Sequence, residues 1–225
     1  MKPIILLHGA IGAKDQLEPL AKELSAIGYQ TYSFSFSGHG QTPYSTEFSI
    51  KHFAFELDRF VTENNLVKPD VFGYSMGGYV ALYLASQKPD CLGKIITLGT
   101  KFAWSPEAAV KEIKMLDAKT IIEKIPKFAA ALEARHGRDW ELLLKRTGDM
   151  MMDLGNDNLL DARTFSRIKN KVLIGLADND SMVTADETNN AASKIVAAKR
   201  YTLQNTKHPI ESVNATELAK VISEF

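Results

Sequence analysis

The sequence lacks most of what would mark a disulfide-bonded, membrane-spanning or nucleic-acid-binding protein. Cys91 is the only cysteine in 225 residues, so neither an intrachain disulfide nor a cysteine-based zinc site can form. No stretch approaches 18 consecutive apolar residues, the length at which a transmembrane helix is read from hydropathy. Neither sign of charge is in excess: 27 Lys and Arg balance 27 Asp and Glu, and no run of five like charges occurs. Phosphate neutralisation needs a basic surplus, at least locally, so nucleic acid is not an expected partner. The opening apolar run, Ile4 to Leu7, is only four residues long. No small-residue cleavage site follows it, which is unlike a secretory signal. The expectation is a soluble, cytoplasmic protein with no membrane partner. Internal repeats and low-complexity segments are missing as well.

What is present is globular. Apolar residues make up 45% and charged residues 24%, values of an ordinary folded domain. The length suits one domain, or a core domain with a modest insertion. Ile4 to Leu7 reads as a strand covered on both faces. Leu17, Leu20, Ala21, Leu24 and Ile27 recur at helical spacing before Gly28, a candidate C-cap. Tyr29 to Phe36 reads as a second strand, and Ile50, Phe53, Leu57, Phe60 and Val61 as the next helix. Pro69 to Gly73 is a third strand, Met76 to Gln87 an apolar helix, and Leu92 to Leu98 a fourth strand.

The rhythm changes from Lys101 to Ile168, where helical stripes (Val110 and Ile113; Ile121, Ile122 and Ile125; Trp140, Leu143 and Leu144) are punctuated by Pro106, Pro126 and Gly137. This block reads as a helical insertion. Strands resume at Lys171 to Leu176 and Lys199 to Leu203, with a helix from about Ala185 to Ala197 between them and a terminal stripe of Leu218, Val221, Ile222 and Phe225. Strands separated by helices predict an α/β fold: about six mostly parallel strands with helices on both faces. Its core would be 1–100 and 169–225, and 101–168 a helical cap.

The strongest chemical signal is Gly73-Tyr74-Ser75-Met76-Gly77, a G-x-S-x-G between a predicted strand and a predicted helix. A serine on so sharp a turn has strained backbone angles. Its neighbours two positions away are glycines because side chains there would collide. The hydroxyl then projects beside a helix N-terminus, which favours developing negative charge. A serine nucleophile needs a base. His52 falls in a helix and His136 in the insertion, so both read as surface or lid residues. His208, in a loop between the last strand and the terminal helix, is the candidate base. A carboxylate must orient its ring, and both Asp178 and Asp180 follow the strand ending near Leu176. The oxyanion needs two backbone N–H groups: Met76, directly after the serine, and Ala10, in the loop after the first strand. His8 beside it reads as a strand-end histidine whose ring holds that loop. His8, His39 and His208 could converge, but no carboxylate-rich or His-x-x-x-His motif supports a metal.

These pieces resemble the α/β-hydrolase superfamily. The resemblance is carried by Leu6-Leu7-His8-Gly9-Ala10, Ser37-Gly38-His39-Gly40, Gly73-Tyr74-Ser75-Met76-Gly77-Gly78, Asp180-Ser181-Met182-Val183 and His208-Pro209, in the expected order along most of the chain. It implies a nucleophile elbow, an oxyanion hole and a catalytic triad of Ser75, Asp180 and His208, on a reduced six-stranded sheet with a cap after the fourth strand. Asp180 is favoured over Asp178 because Ala177-Asp178-Asn179-Asp180 resembles the family's Gly-Asp-x-Asp turn, whose second acid is catalytic. The first acid there caps the turn. Ser33 or Ser35 stands where the family often has an acid before the Gly-His-Gly turn.

The expected function is that of an esterase-like serine hydrolase acting on a small acyl substrate, with no cofactor and no metal. Ile11, Phe102, Trp104 and Met182 are the expected apolar pocket residues. Two alternatives remain open. The same triad could serve C–C bond hydrolysis, elimination or perhydrolysis, with Arg135, Arg138, Lys145 or Arg146 clamping a carboxylate. The scaffold could instead be a non-catalytic binding protein, though all three triad members are present. The oligomeric state is not legible.

Overall fold

The computed structural model describes residues 2–196 and 198–225. Its strands are β1 (Lys2–Leu7), β2 (Tyr29–Ser33), β3 (Asp70–Tyr74), β4 (Ile95–Leu98), β5 (Val172–Ala177) and β6 (Ala198–Leu203). They form one sheet in the order β2-β1-β3-β4-β5-β6, and every neighbouring pair is parallel. This is the reduced α/β-hydrolase sheet that the resemblance implies. Alternate residues of the strands face opposite layers. Ile4, Leu6, Phe72, Ile96 and Leu98 pack against α1 (Glu18–Ala26) and α10 (Ala215–Glu224) through Leu20, Leu24, Leu218 and Ile222. Ile5, Leu7, Val71, Ile95, Val172 and Ile174 pack against α2 (Ile50–Glu63) and α3 (Met76–Gln87) through Phe53, Leu57, Val80 and Leu84. Among the described residues no helix is long and apolar enough to cross a membrane.

β2 stops at Ser33, three residues short of the expected strand. Phe34 and Phe36 leave the sheet because their rings pack on α2: Phe34 stacks on Phe60 at 4.7 Å and Phe36 meets Phe53 at 5.0 Å. Between β4 and β5 the chain forms α4 (Pro106–Ile113), α5 (Ala118–Lys124), α6 (Pro126–His136), α7 (Trp140–Asn156) and α8 (Ala162–Ser166). Pro106 and Pro126 open helices rather than break them, as their missing N–H allows at a first turn. α6 carries no clear apolar stripe, since of its side chains only Leu132 and His136 are buried. α9 runs from Ala185 to Ser193. Ala197, the expected end of that helix, lies outside the described residues.

The insertion is sewn to the core at both ends. At its start, buried Glu187 on α9 accepts from the N–H groups of Phe102 and Ala103 at 3.0 and 2.9 Å. At its end, the Tyr79 hydroxyl donates to Asn158 Oδ1 at 2.7 Å and accepts from Leu160 N at 3.0 Å, while Asn158 Nδ2 donates to the Phe102 carbonyl. Met150, Leu154, Leu160, Phe165 and Ile168 belong to the same apolar cluster as the sheet. Tyr79→Phe should remove both hydroxyl bonds and leave Leu160 N–H donating to Asn158 Oδ1 at 3.2 Å as the remaining link between those two groups. We expect a loss of about 0.5–1.5 kcal/mol in urea unfolding, with the sheet and its circular dichroism retained.

Candidate active site

In an open parallel sheet, ligands bind beyond the strand C-termini where the strand order reverses. Here that point lies between β1 and β3, since β1 has β2 on one side and β3 on the other. The register sets Leu7 opposite Gly73, and Tyr74 opposite Leu98. The residues that follow, His8 to Gly12, Ser75 and Gly99, therefore emerge side by side.

Ser75 has φ +50° and caps the N-terminus of α3. Such an angle costs a non-glycine residue about 1–2 kcal/mol, and four neighbours hold it. Its N–H donates to the Leu98 carbonyl at 2.8 Å, and its carbonyl accepts from the Thr100 hydroxyl at 2.9 Å. A Cβ on Gly73 would collide with the Gly78 backbone, and one on Gly77 would sit 2.6 Å from the Leu7 carbonyl oxygen. The glycines thus let α3 approach both β3 and the end of β1.

His208 Nδ1 donates to Asp180 Oδ2 at 2.6 Å. Asp180 Oδ1 accepts from the N–H groups of Met182 and Val183 at 2.8 and 2.9 Å, so its orientation is fixed. Burial pushes the Asp180 carboxyl up, but the His208 hydrogen bond and charge, with the two N–H groups, outweigh it and leave the acid below its ordinary value. Asp178 does something else: its Oδ1 accepts from Thr206 N at 3.0 Å and ties the strand-end turn to the loop that carries His208. Gly99, at φ +61°, is the meeting point. A Cβ there would lie 3.3 Å from both Asp180 Oδ2 and His208 Nδ1. The Tyr74 hydroxyl donates to the His208 carbonyl at 2.9 Å, which fastens the histidine loop to the residue before Ser75.

The loop after β1 is equally constrained. His8 is buried; its Nε2 accepts from Phe36 N at 3.1 Å, so Nδ1 carries the proton and donates to the Gly9 carbonyl at 2.8 Å. Gly12 N–H donates to the same carbonyl. A trans peptide sets its N–H opposite its C=O. Pinning the Gly9 oxygen therefore aims the Ala10 N–H the other way. Ala10 and Met76 line one cavity with Ser75, Tyr79, Lys101 and Trp104.

Of the four expected pocket residues, Trp104 lines this cavity; Ile11, Phe102 and Met182 do not. Ile11 packs with Ile121, Leu132, Trp140 and Leu144 of the insertion. Phe102 is held by Glu187 and packs its ring on Phe165 at 5.8 Å. Met182 offers its backbone, with N–H to Asp180 and carbonyl to Lys101 Nζ at 3.1 Å. Arg135, Arg138, Lys145 and Arg146 are not among the cavity's lining residues either. Arg135 faces Asp15 and Glu211, Lys145 faces Asp149, and Arg146 lies over the Tyr44 ring. The cation that does line the cavity is Lys101, paired with buried Glu112 at 3.3 Å.

His39 lies 4.9 Å from His8 between ring centres and stacks on Phe48. His208 belongs to Asp180, so the three histidines do not converge. Among the described residues no group of three His, Cys, Asp or Glu side chains is arranged to hold a metal ion. Of the two readings of His136, surface or lid residue, the first does not hold: it is buried where the insertion meets the core loops. Its Nδ1 accepts from Gly40 N at 3.0 Å and its Nε2 donates to the Ile11 carbonyl at 2.9 Å.

Fold and site together define a class: a parallel α/β sheet with a strained serine at a strand-to-helix turn and a histidine–aspartate pair set against Gly99 at the neighbouring strand end. A family model described as "alpha/beta hydrolase fold" matches residues 2–119. The chain belongs to the α/β-hydrolase superfamily. Over 126 residues, 55% of the chain, it is 29% identical to the mouse sn-1-specific diacylglycerol lipase ABHD11, 41% of whose length is matched. Over 108 residues, 47% of the chain, it is 28% identical to Ethanol acetyltransferase 1 of Hanseniaspora uvarum, 32% of which is matched. The chain thus matches less than half the length of either relative. Its fold is similar to that of a thermophilic esterase from Thermogutta terrifontis, at a TM-score of 0.80 and 17% identity over 100% of this chain and 89% of that one.

Two predictions follow from these hydrogen bonds. Asp180→Asn should leave the fold intact yet lower kcat on the order of 10⁴, because the His208 tautomer is no longer set; Asp178→Asn should act mildly. Steady-state kinetics on both variants, with circular dichroism, checks this. The second concerns acid. Burial pushes His8 down to about 4 and holds His39 well below its ordinary value. Both are neutral when folded and charge on unfolding below pH about 6.5. Stability should therefore be full above that pH and fall towards pH 4, by about 3 kcal/mol from His8 alone. Urea unfolding at a series of pH values should show this slope, reduced in His8→Gln.

Proposed function

We propose that the protein is a serine hydrolase that cleaves carboxylic esters with a short acyl group. The observation that carries this reading is the His208–Asp180 hydrogen bond at 2.6 Å, set against Gly99 one residue beyond the strand end that binds Ser75 N–H. Ser75 Oγ attacks the ester carbonyl carbon, and His208 Nε2, the nitrogen Asp180 leaves free, takes the hydroxyl proton. The carbonyl oxygen becomes an oxyanion that accepts from Ala10 N–H and Met76 N–H. As the tetrahedral intermediate collapses, the alcohol leaves with the proton from His208, and the acyl group stays on Ser75. A water repeats the sequence, giving up its proton to His208, and releases the acid. Asp180 stabilises the imidazolium in both halves.

The acyl group is placed by size. The cavity at Ser75 is about 40 Å³ and mainly apolar. A water-sized group needs ~10–15 Å³, so the space directly at Ser75 suits an acetyl group, and a longer chain would have to extend towards the cavity of about 320 Å³ that shares Ile50, Met150 and Leu154 with it. This supports a second reading on the same site, in which an alcohol replaces water as the acceptor. The Hanseniaspora uvarum relative, named as an ethanol acetyltransferase, points the same way.

A fluorophosphonate probe should label the wild type and not Ser75→Ala. p-Nitrophenyl acetate should be hydrolysed faster than the octanoate, and Ser75→Ala should abolish both. Added ethanol should yield ethyl acetate if the alcohol competes with water. Labelling that survives Ser75→Ala would overturn the assignment.

A further inference from the structure

The turn that presents Ala10 carries a residue it should not prefer. Gly9 to Gly12 is closed by Gly12 N–H to the Gly9 carbonyl at 3.1 Å, and its third residue, Ile11, has φ +51°. A positive φ at that position calls for Gly or Asn, and a β-branched side chain is among the worst fitted to it. Something outside the loop must hold it.

Two contacts do so, and both come from the insertion. The Ile11 side chain packs with Ile121 of α5, Leu132 of α6, and Trp140 and Leu144 of α7. Its carbonyl accepts from His136 Nε2–H at 2.9 Å, at the end of α6. The other ring nitrogen of His136 accepts from Gly40 N–H at 3.0 Å, on the second core loop that faces this corner. Each ring nitrogen thus has a fixed role, which sets a neutral Nε2–H tautomer. The neighbouring Arg135 ion pairs with Asp15 and Glu211, and the Tyr44 hydroxyl donates to the Asp139 carbonyl, brace the same corner.

We propose that His136 is a positioning residue for the oxyanion hole. From the cap it locks the peptide after Ile11, and with it the turn that aims the Ala10 N–H at the developing oxyanion. It touches no reacting atom. Its effect is on the transition state, because the Ala10 donor is needed only once the carbonyl oxygen carries charge. The inference rests on the reading of Ala10 as an oxyanion donor.

The test uses the full chain and p-nitrophenyl acetate. His136→Phe removes both hydrogen bonds and keeps a ring. Its kcat should fall about tenfold to a hundredfold, short of the ~10²–10³ lost with a deleted donor, while KM stays within about threefold. His136→Leu repeats the measurement should the larger ring not fold. His136→Gln keeps a donor and an acceptor and should recover kcat to within about threefold of wild type. In an Ile11→Gly background the turn no longer needs holding, so the His136→Phe penalty should shrink to under about threefold, a non-additivity expected of coupled residues. A folded Phe or Leu variant with kcat within twofold of wild type overturns the proposal. So does a loss confined to KM, a Gln variant as impaired as Phe, or a penalty unchanged by Ile11→Gly. Ala10→Pro separates this from failure of the underlying reading, since proline suits the second position of such a turn but has no N–H. An Ala10→Pro protein of full kcat removes the donor assignment and the proposal with it. An impaired Ala10→Pro beside an unimpaired His136→Phe removes the proposal alone.

Discussion

The conformation of one residue sets the terms for the rest of the site. Ser75 at φ +50° is held by bonds from outside its own turn: Leu98 at the end of β4, Thr100 two residues beyond, and the approach of Gly77 to the end of β1. A strain of about 1–2 kcal/mol persists only where the surroundings over-determine it. Here those surroundings are the C-terminal ends of three adjacent parallel strands in fixed register. The sheet is thus the jig that aims the hydroxyl. That is why residues with no reacting atoms, such as Thr100 and Gly99, are as constrained as the serine.

Four of the five histidines lie close to this jig or its joints, and their environments sort them. His8, His39 and His136 are buried. None of them has a carboxylate at hydrogen-bond distance. Burial disfavours their charged forms and lowers all three; His8 and His136 serve as neutral donor–acceptors that join backbone segments, while His39 bonds the Ser37 carbonyl within its own loop and stacks on Phe48. His208 has a buried anion at 2.6 Å. In the proposed reaction it is the one that gains a proton, and Asp180 stabilises the resulting cation. One residue type thus fills structural and chemical roles, separated by the presence of a carboxylate partner.

Much of this was legible in the sequence because it is local. The elbow glycines flank Ser75, and apolar runs marked strands buried on both faces. Asp180 could be preferred to Asp178 only by resemblance, because side-chain direction at a turn is not written in spacing. The structure gives each acid a different partner, His208 for one and Thr206 N–H for the other. Other features were invisible for physical reasons. Gly99 follows an ordinary apolar strand, and only the fold brings the His208–Asp180 pair against it. His136 is 125 residues from Ile11, and α6 shows no apolar stripe that would have placed it. Phe102 and Met182 were read from nearness in chain to the site. Both follow the strand ends in irregular backbone, where the bonds to Glu187 and Phe165 for one, and to Asp180 and Lys101 for the other, hold them away from the cavity lining.

The two halves of the insertion are bound to the core by different physics. The C-terminal half, from Met150 to Ile168, shares the apolar cluster of the sheet, and separating it would expose core side chains. The N-terminal half builds its own small cluster of Ile121, Leu132, Trp140 and Leu144, which takes in Ile11 from the loop after β1. Its other ties at the His136 corner are polar: two hydrogen bonds of His136 and the ion pairs of Arg135 with Asp15 and Glu211. Water can replace such bonds at modest net cost, whereas exposed apolar area has no substitute partner. The α5–α6 corner is therefore the more weakly held of the two joints, and the His136 that ties it to Gly40 also holds the turn that carries Ala10.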